Sequence, residues 1–138
     1  MTKVTRFLPY VLAAFMALMG VMKFAGDVPI FLEIENNLRT DYGLSLGFID
    51  PAFKYLTGAL ELAAAALLVF GKRFYGSALS LIVIGGAIFA HLTVLGISTP
   101  VSAEVGAETS PMLFMMALAG FALAASTFHF VRRDNKGL

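Results

Sequence analysis

The sequence predicts an all-α integral membrane protein, a single transmembrane domain folded as a four-helix bundle over residues 1–138. Two observations predict it. Hydrophobic residues make up 59% of the chain and charged residues 14%, whereas soluble domains average about 45–50% and about 25%. The mean hydropathy is +0.83, and the apolar residues gather into four segments separated by polar loops. The lipid bilayer is therefore the first predicted partner.

The four apolar segments have the length of membrane-spanning helices, which is about 17–25 residues. No segment alternates strictly between apolar and polar residues, so helices are favoured over strands. The predicted spans are residues 7–24, 53–70, 74–97 and 111–131. Small residues recur at helical spacing on three spans, which favours close helix packing in lipid. These residues are Ala13, Ala17 and Gly20; Gly76, Ser80 and Ala87; and Ala117, Gly120, Ala124 and Thr127.

Basic residues are distributed unevenly between the two sets of loops. Seven of the ten Lys and Arg residues lie before the first span, between the second and third, or after the fourth. The other two connections are acidic. Because cytoplasmic loops carry the excess of Lys and Arg, we expect both termini in the cytoplasm and the protein in a bacterial inner membrane. The seven residues are Lys3, Arg6, Lys72, Arg73, Arg132, Arg133 and Lys136.

The first apolar segment has an alternative interpretation. Lys3 and Arg6 followed by an apolar run are also typical of a secretory signal peptide. Its removal would leave three spans with the same loop charges, so charge does not separate the two interpretations. The residues after Met22, in particular Phe24-Ala25-Gly26, form a poor cleavage site. We therefore expect a retained span.

A short amphipathic helix is expected in the loop between the first two spans. Within Val28–Leu38, the apolar residues Phe31, Ile34 and Leu38 lie three or four positions apart, with acidic and amide residues between them. This spacing places the apolar side chains on one face of a helix. We expect that helix to lie on the outer membrane surface.

An acidic residue, Glu61, lies inside the second span, in the stretch TGALELAAAALLVFG from Thr57 to Gly71. A carboxylate at membrane depth costs about 2.5–3.5 kcal/mol on insertion scales, so its side chain should face the neighbouring helices. Thr57 is one turn earlier, at the spacing of a hydrogen bond to Glu61. Burial favours the neutral form of the carboxyl group unless a cation lies close.

Lys23 and His91 are candidate neighbours of Glu61. At a rise of about 1.5 Å per residue, both lie about 24 Å from the inner ends of their spans, and Glu61 lies about 14 Å from its own. A contact between Glu61 and His91 then needs a tilt, a water or a bend, for which Gly85-Gly86 offers a place. For Lys23 the expected partner is Asp27, one helical turn further on.

Two interpretations of these polar residues are open. In the functional one, Glu61 and His91 are catalytic and exchange protons with a lipophilic substrate or a quinone. Lys23 and Thr57 then complete a ligand-binding cleft that opens to the outer surface. In the structural one, Glu61 forms a hydrogen bond across helices, Lys23 extends to the surface, and His91 ties the third span to the outer loop.

Composition excludes several kinds of chemistry. The chain has no cysteine, which removes disulfides, iron–sulfur clusters and thiol redox chemistry. Two distant histidines and one buried carboxylate do not form a metal-ligand set. A net charge of +1 leaves no basic face for a nucleic acid. We therefore expect no metal and no resident cofactor, with a quinone or a lipid as the alternative ligand.

Most of the chain resembles the DoxX and DoxX-like family of small four-helix membrane proteins. The similar elements are GVMKFAG at the end of the first span, G-x-x-E-L at Gly58–Leu62, the glycine after the basic turn at Gly76, and G-A-x-x-x-H-L at Gly86–Leu92. The resemblance implies a link to sulfur oxidation with quinone, to redox-stress complexes or to membrane assembly. The family's recurrent polar positions map onto Lys23, Glu61 and His91.

Two functions from different classes follow. The first is a non-catalytic accessory or assembly subunit of a larger membrane complex, such as a redox or respiratory one, with other membrane subunits or further copies of the chain as partners. The second is a membrane enzyme or carrier for a lipophilic molecule or quinone. A ligand-sized pocket that touches Lys23, Glu61 and His91 together favours the second function. Sealed polar residues favour the first.

Overall fold

The computed structural model describes residues 3–26, 28–102 and 104–136. In this part of the chain the structure is helical apart from loops and one short strand pair. A widened helical turn, Ile49–Phe53, leads into the third helix, and a second, His91–Leu95, continues the fourth. The helices are α1 (Lys3–Ala25), α2 (Ile30–Tyr42), α3 (Lys54–Val69), α4 (Arg73–Ala90) and α5 (Met112–Lys136).

The prediction of four membrane-spanning helices is confirmed within the described residues. The segments that are long and apolar enough are Thr5–Ala25, Ile49–Val69, Arg73–Leu95 and Met112–Lys136. The largest shift in an end is at α5, which continues to Lys136 instead of ending at Val131. Lys and Arg are good helix formers and are stabilised near a helix C-terminus, so the basic residues there extend the helix.

The helices form a bundle in which α1 packs against α3, α3 against α4 and α4 against α5, and α5 returns to α1. Only 22–33% of each span is buried inside the protein. The remaining surface is mostly apolar and suits contact with acyl chains or with another membrane protein. The centre of the bundle contains small and medium side chains, including Leu12, Met16, Ala64, Leu68 and Ala124, each 0% exposed.

Most of the small residues that the sequence placed at helix contacts are buried. The closest approach to the backbone of a neighbouring helix is at Gly76 of α4, where a Cβ atom would lie 2.9 Å from the backbone nitrogen of Leu68 and 3.0 Å from the carbonyl oxygen of Ala64. A side chain at this position would collide with the backbone of α3, so the glycine allows the two helices to pack closely. Ala87 is exposed instead, because it lies on a face of α4 that points away from the bundle.

Helix α2 packs across the end of the bundle where α3 begins and α4 ends. Phe31 of α2 is buried and meets Phe53 edge to face, with ring centroids 6.2 Å apart. The side-chain amide of Asn37 donates a hydrogen bond to the carbonyl oxygen of Val94 at 2.9 Å. The widened turn that continues α4 therefore provides an acceptor for α2, and α2 is attached to two spans at once.

Two local features differ from the sequence expectation at this end of the bundle. Helix α2 continues past Leu38 to Tyr42, and Gly43 then ends it in the left-handed region at a φ of 67°. No strand was expected, yet β1 (Thr99–Pro100) pairs antiparallel with β2 (Thr109–Ser110). The pair is two residues long on each side and closes the loop between α4 and α5.

Candidate functional site: a buried ion pair between the first two spans

Lys23 of α1 and Glu61 of α3 form an ion pair inside the bundle. The Lys23 ammonium nitrogen lies 2.8 Å from Oε1 and 2.7 Å from Oε2 of Glu61. Lys23 is 7% exposed and Glu61 6% exposed. Glu61 therefore faces neighbouring helices, as expected from the cost of its burial. The cation that its charge requires comes from the first span.

The structure corrects the depth separation of about 10 Å that helical rise alone assigns to Lys23 and Glu61. Side chains lean toward the N-terminus of their own helix, and α1 and α3 run in opposite directions. The lysine thus leans toward the start of α1 and the glutamate toward the start of α3, so they approach each other. The Lys23 ammonium also lies 3.4 Å from the carbonyl oxygen of Met19, one turn back along α1. Asp27, the expected partner of Lys23, lies outside the described residues.

Two glycines bring α1 and α3 together around the ion pair. A Cβ atom at Gly58 would lie 2.8 Å from the Phe24 ring and 3.0 Å from Lys23 Cβ. At Gly20 it would lie 3.0 Å from the carbonyl oxygen of Gly58. This close approach leaves little room for water beside the charged groups. Low polarity around the pair strengthens its attraction.

Aromatic rings lie beside the ion pair near the start of α3. Phe24, adjacent to Lys23 in the chain, stacks on Tyr55 with ring centroids 5.3 Å apart and an interplanar angle of 8°. The Phe24 ring also reaches Gly58. The structural interpretation expected Lys23 to extend to the surface, but the residue is buried. Its side chain is directed into the bundle.

Thr57 does not bind Glu61. Its hydroxyl group donates a hydrogen bond to the carbonyl oxygen of Phe53 at 2.8 Å. A threonine in a helix commonly donates to the carbonyl four residues earlier, and this contact competes with a side-chain partner. The local geometry of α3 thus leaves both oxygens of Glu61 to Lys23.

His91 is a separate polar centre at the end of α4. It is 2% exposed, and its Nδ1 lies 2.9 Å from the carbonyl oxygen of Gly96. Since a carbonyl only accepts, Nδ1 carries the proton in this contact. The ring packs on Phe114 of α5 at 5.4 Å. His91 thus ties the third span to the loop that follows it, as the structural interpretation expected.

The structure does not bring His91 and Glu61 together. In the described part of the chain, the hydrogen bonds of Glu61 go to Lys23 and that of His91 goes to Gly96. Helix α4 stays helical through Gly85-Gly86, the expected place for a bend. The irregular turn comes later, at His91–Leu95, and points His91 toward its own loop.

Two surface clefts within the described residues bear on access to these groups, and neither touches Lys23, Thr57, Glu61 or His91. One, of about 220 Å³, is at the end of the bundle near the α3–α4 turn. The other, of about 480 Å³, is an apolar groove between α1 and α3. Among the described residues, no group of three His, Asp or Glu side chains is placed to hold a metal ion. The ion pair thus has no visible access for a ligand through either cleft.

Sequence reasoning missed two contacts between spans, one beside the ion pair and one near the opposite end of the bundle. The Gly20–Gly58 approach joins residues from different spans, and glycines on both helices were its only signal. The second is a contact of Arg73 with Tyr10, in which the guanidinium group donates to the tyrosine hydroxyl at 2.9 Å. Neither contact follows from periodicity within one helix.

No family model, curated protein or solved structure matches the chain.

Proposed function

We propose that this chain is a non-catalytic accessory or assembly subunit of a larger membrane complex. It is a multi-pass protein of a bacterial inner membrane with both termini in the cytoplasm, and a relative of the DoxX-like proteins that its motifs resemble. The observation that carries the proposal is the closed ion pair. Both oxygens of Glu61 are bonded to Lys23, and both residues are buried.

A proton-transferring carboxyl group must reach its substrate directly or through one water. In this structure Glu61 is bonded to Lys23 within the α1–α3 contact and lines neither cleft. His91, the other candidate for proton transfer, is bonded to its own loop. The polar residues of the spans therefore act as connectors between segments, which suits a structural subunit better than an enzyme.

Exposed apolar residues in the loops favour a partner protein. Leu44 and Phe48, between α2 and α3, are 50% and 54% exposed. Val101 and Val105, between α4 and α5, are 59% and 106% exposed. These residues lie beyond the ends of the spans, where acyl chains cover less surface. Exposed apolar side chains that form a contiguous patch mark surfaces for association, and we infer such a patch in these loops.

The test separates the ion pair from any chemistry of Glu61. Replacing both partners, in K23M/E61M, removes the charges while keeping similar side-chain volumes, so the fold should persist. We expect the double variant, purified in mild detergent, to retain the same co-purifying membrane subunits as the wild type. Quantitative mass spectrometry of tagged protein from the native membrane measures this. The matched control is Ala63→Leu, an exposed position on α3.

The enzyme or carrier hypothesis makes the opposite prediction. If the folded double variant loses a bound quinone or other lipophilic molecule that the wild type retains, Glu61 or Lys23 acts on a ligand. Loss of that ligand by the double variant, together with a wild type that retains no stably associated subunit, would overturn the accessory role. Circular dichroism of the same samples verifies that the double variant remains helical.

A further inference from the structure

The α3–α4 turn and the end of α5 form a cleft of about 220 Å³ with mixed polar and apolar walls. Its charged lining residues are Lys72 from the turn, Arg73 from the start of α4 and Asp134 from α5. Cationic groups are thus in excess in this cleft. Helix α4 also begins at Arg73, and the N-terminus of a helix carries a partial positive charge. The cleft is therefore electrostatically suited to an anion.

Within this cleft, Arg73 is a described residue whose hydrogen bonding is incomplete. Its Nη2 donates to the Tyr10 hydroxyl at 2.9 Å, and its guanidinium carbon lies 5.3 Å from the centroid of the Tyr10 ring. Its Nε is buried and has no hydrogen-bond partner among the described residues. Buried donors are normally paired, and leaving one unpaired is costly. Because Arg73 lines the cleft, a small rotation of its side chain would bring this donor to an acceptor bound there.

An apolar groove begins next to this cleft. Tyr10 lines the groove and bonds Arg73 of the cleft, and Phe70 of the groove directly precedes Gly71 of the cleft. Between Tyr10 and Ala17 the groove follows α1 for about 10 Å, a large part of one leaflet's hydrocarbon depth of about 15 Å. The groove is lined by Tyr10, Ala14, Ala17, Leu62, Ala66 and Phe70, among others.

We propose that the cleft and groove together bind one anionic phospholipid. Its phosphate accepts hydrogen bonds from Arg73 and Lys72, and one acyl chain lies in the groove between α1 and α3. Guanidinium groups recognise phosphate oxygens well, and basic pockets at the ends of spans are typical lipid-headgroup sites. The apolar groove separates a lipid from free phosphate. The site depends on the four spanning helices and is independent of the accessory role.

The test uses the full chain, stripped of lipid in mild detergent and titrated with phosphatidylglycerol or phosphatidylcholine of identical acyl chains. Native mass spectrometry counts bound lipids. We expect phosphatidylglycerol to bind about tenfold more tightly than phosphatidylcholine, and Arg73→Gln to remove that preference. Lys72→Gln, in the exposed turn, should reduce it. Lys136→Gln, a basic residue at the same end but outside the cleft, should leave it unchanged.

The groove has its own pair of variants. Ala14 and Ala66 are exposed lining residues, so A14L/A66L should fill the groove without disturbing the core and weaken both lipids. Ala63→Leu, at an exposed position on α3 outside the groove, should not weaken the binding of either lipid.

Three results would overturn the proposal. They are equal binding of the two lipids by the wild type, equal effects of Lys72→Gln and Lys136→Gln, and competition by inorganic phosphate as strong as that by phosphatidylglycerol. The Lys72 comparison stands even if Arg73→Gln fails to fold.

Discussion

Lys23 and Glu61 are the two residues in this chain whose burial is hardest to explain separately. Each charge alone loses its hydration, and that loss amounts to several kcal/mol per ion in a protein interior. Together they share short contacts of 2.7 and 2.8 Å, and each is the other's compensation. The stability of the α1–α3 contact should therefore depend on the balance between these two residues more than on either one.

The first prediction concerns this balance. Glu61→Gln or Lys23→Met should destabilise the bundle by about 3–5 kcal/mol, because each leaves an uncompensated charge in the α1–α3 contact. K23M/E61M should recover most of that loss, since two apolar side chains of similar size need no hydration. Unfolding followed by circular dichroism in detergent measures the three free energies. A double variant as unstable as the worse single variant would show that the pair is not the source of the effect.

At the scale of single residues, the sequence identifies the charged side chains whose burial is costly. It does not show that they pair with each other. An acid within an alanine-rich span and a lysine at the end of another are visible in the sequence, and both prove to be buried. Their pairing was hidden because depth along a helix axis ignores the lean of side chains in antiparallel helices. The expected hydrogen bond from Thr57 to Glu61 does not form, because the carbonyl oxygen of Phe53 in the same helix accepts from the threonine hydroxyl.

Among the elements, α4 shows that glycines within one helix differ in what they contact. Gly76 contacts the backbone of α3, whereas a Cβ atom at Gly86 would meet nothing within 4 Å. Gly76 is buried and Gly86 exposed. One is needed for packing between helices, and the other only lowers the helix propensity of α4.

The second prediction compares these two glycines. Gly76→Ala should destabilise the bundle by about 1–3 kcal/mol, because the added methyl group overpacks the contact with α3. Gly86→Ala should be neutral or stabilise it by about 0.5–1 kcal/mol through helix propensity. The measurement is the midpoint of thermal unfolding of each purified variant. Equal shifts for both variants would contradict the close approach of α3 and α4.

The regular parts of the helices could be predicted and the irregular turns could not. Long apolar runs locate the spans, because hydrocarbon requires about 20 such residues. The widened turns at Ile49–Phe53 and His91–Leu95 depend on contacts between segments distant in sequence. The bond from Asn37 to the carbonyl oxygen of Val94 is one of them. No local pattern in the sequence encodes such a contact.

In the whole molecule, contacts connect the basic ends of three helices. Arg73, which begins α4, bonds Tyr10 in the first half of α1. The cleft beside Arg73 also includes Asp134 and Asn135 from the last turns of α5. Helix α2 packs at the opposite end, against the turn that follows α4. The basic segments that the loop charges place on one side are thus neighbours at one end of the bundle. The charge rule alone assigns that end to the cytoplasm.

The last prediction tests that orientation directly. The natural chain has no cysteine, so a single introduced thiol is the only site for a maleimide. Val105 lies in the α4–α5 loop and Asn135 in the last turn of α5, and both are exposed. With both termini in the cytoplasm, V105C should react with a membrane-impermeant maleimide on intact bacterial cells. N135C should react only after the membrane is opened. Labelling of N135C but not V105C on intact cells would show that the topology is inverted. The cysteine-free parent gives the background labelling. An inverted result would also contradict the charge rule in this protein, because the end of the bundle that holds the basic residues would then lie outside.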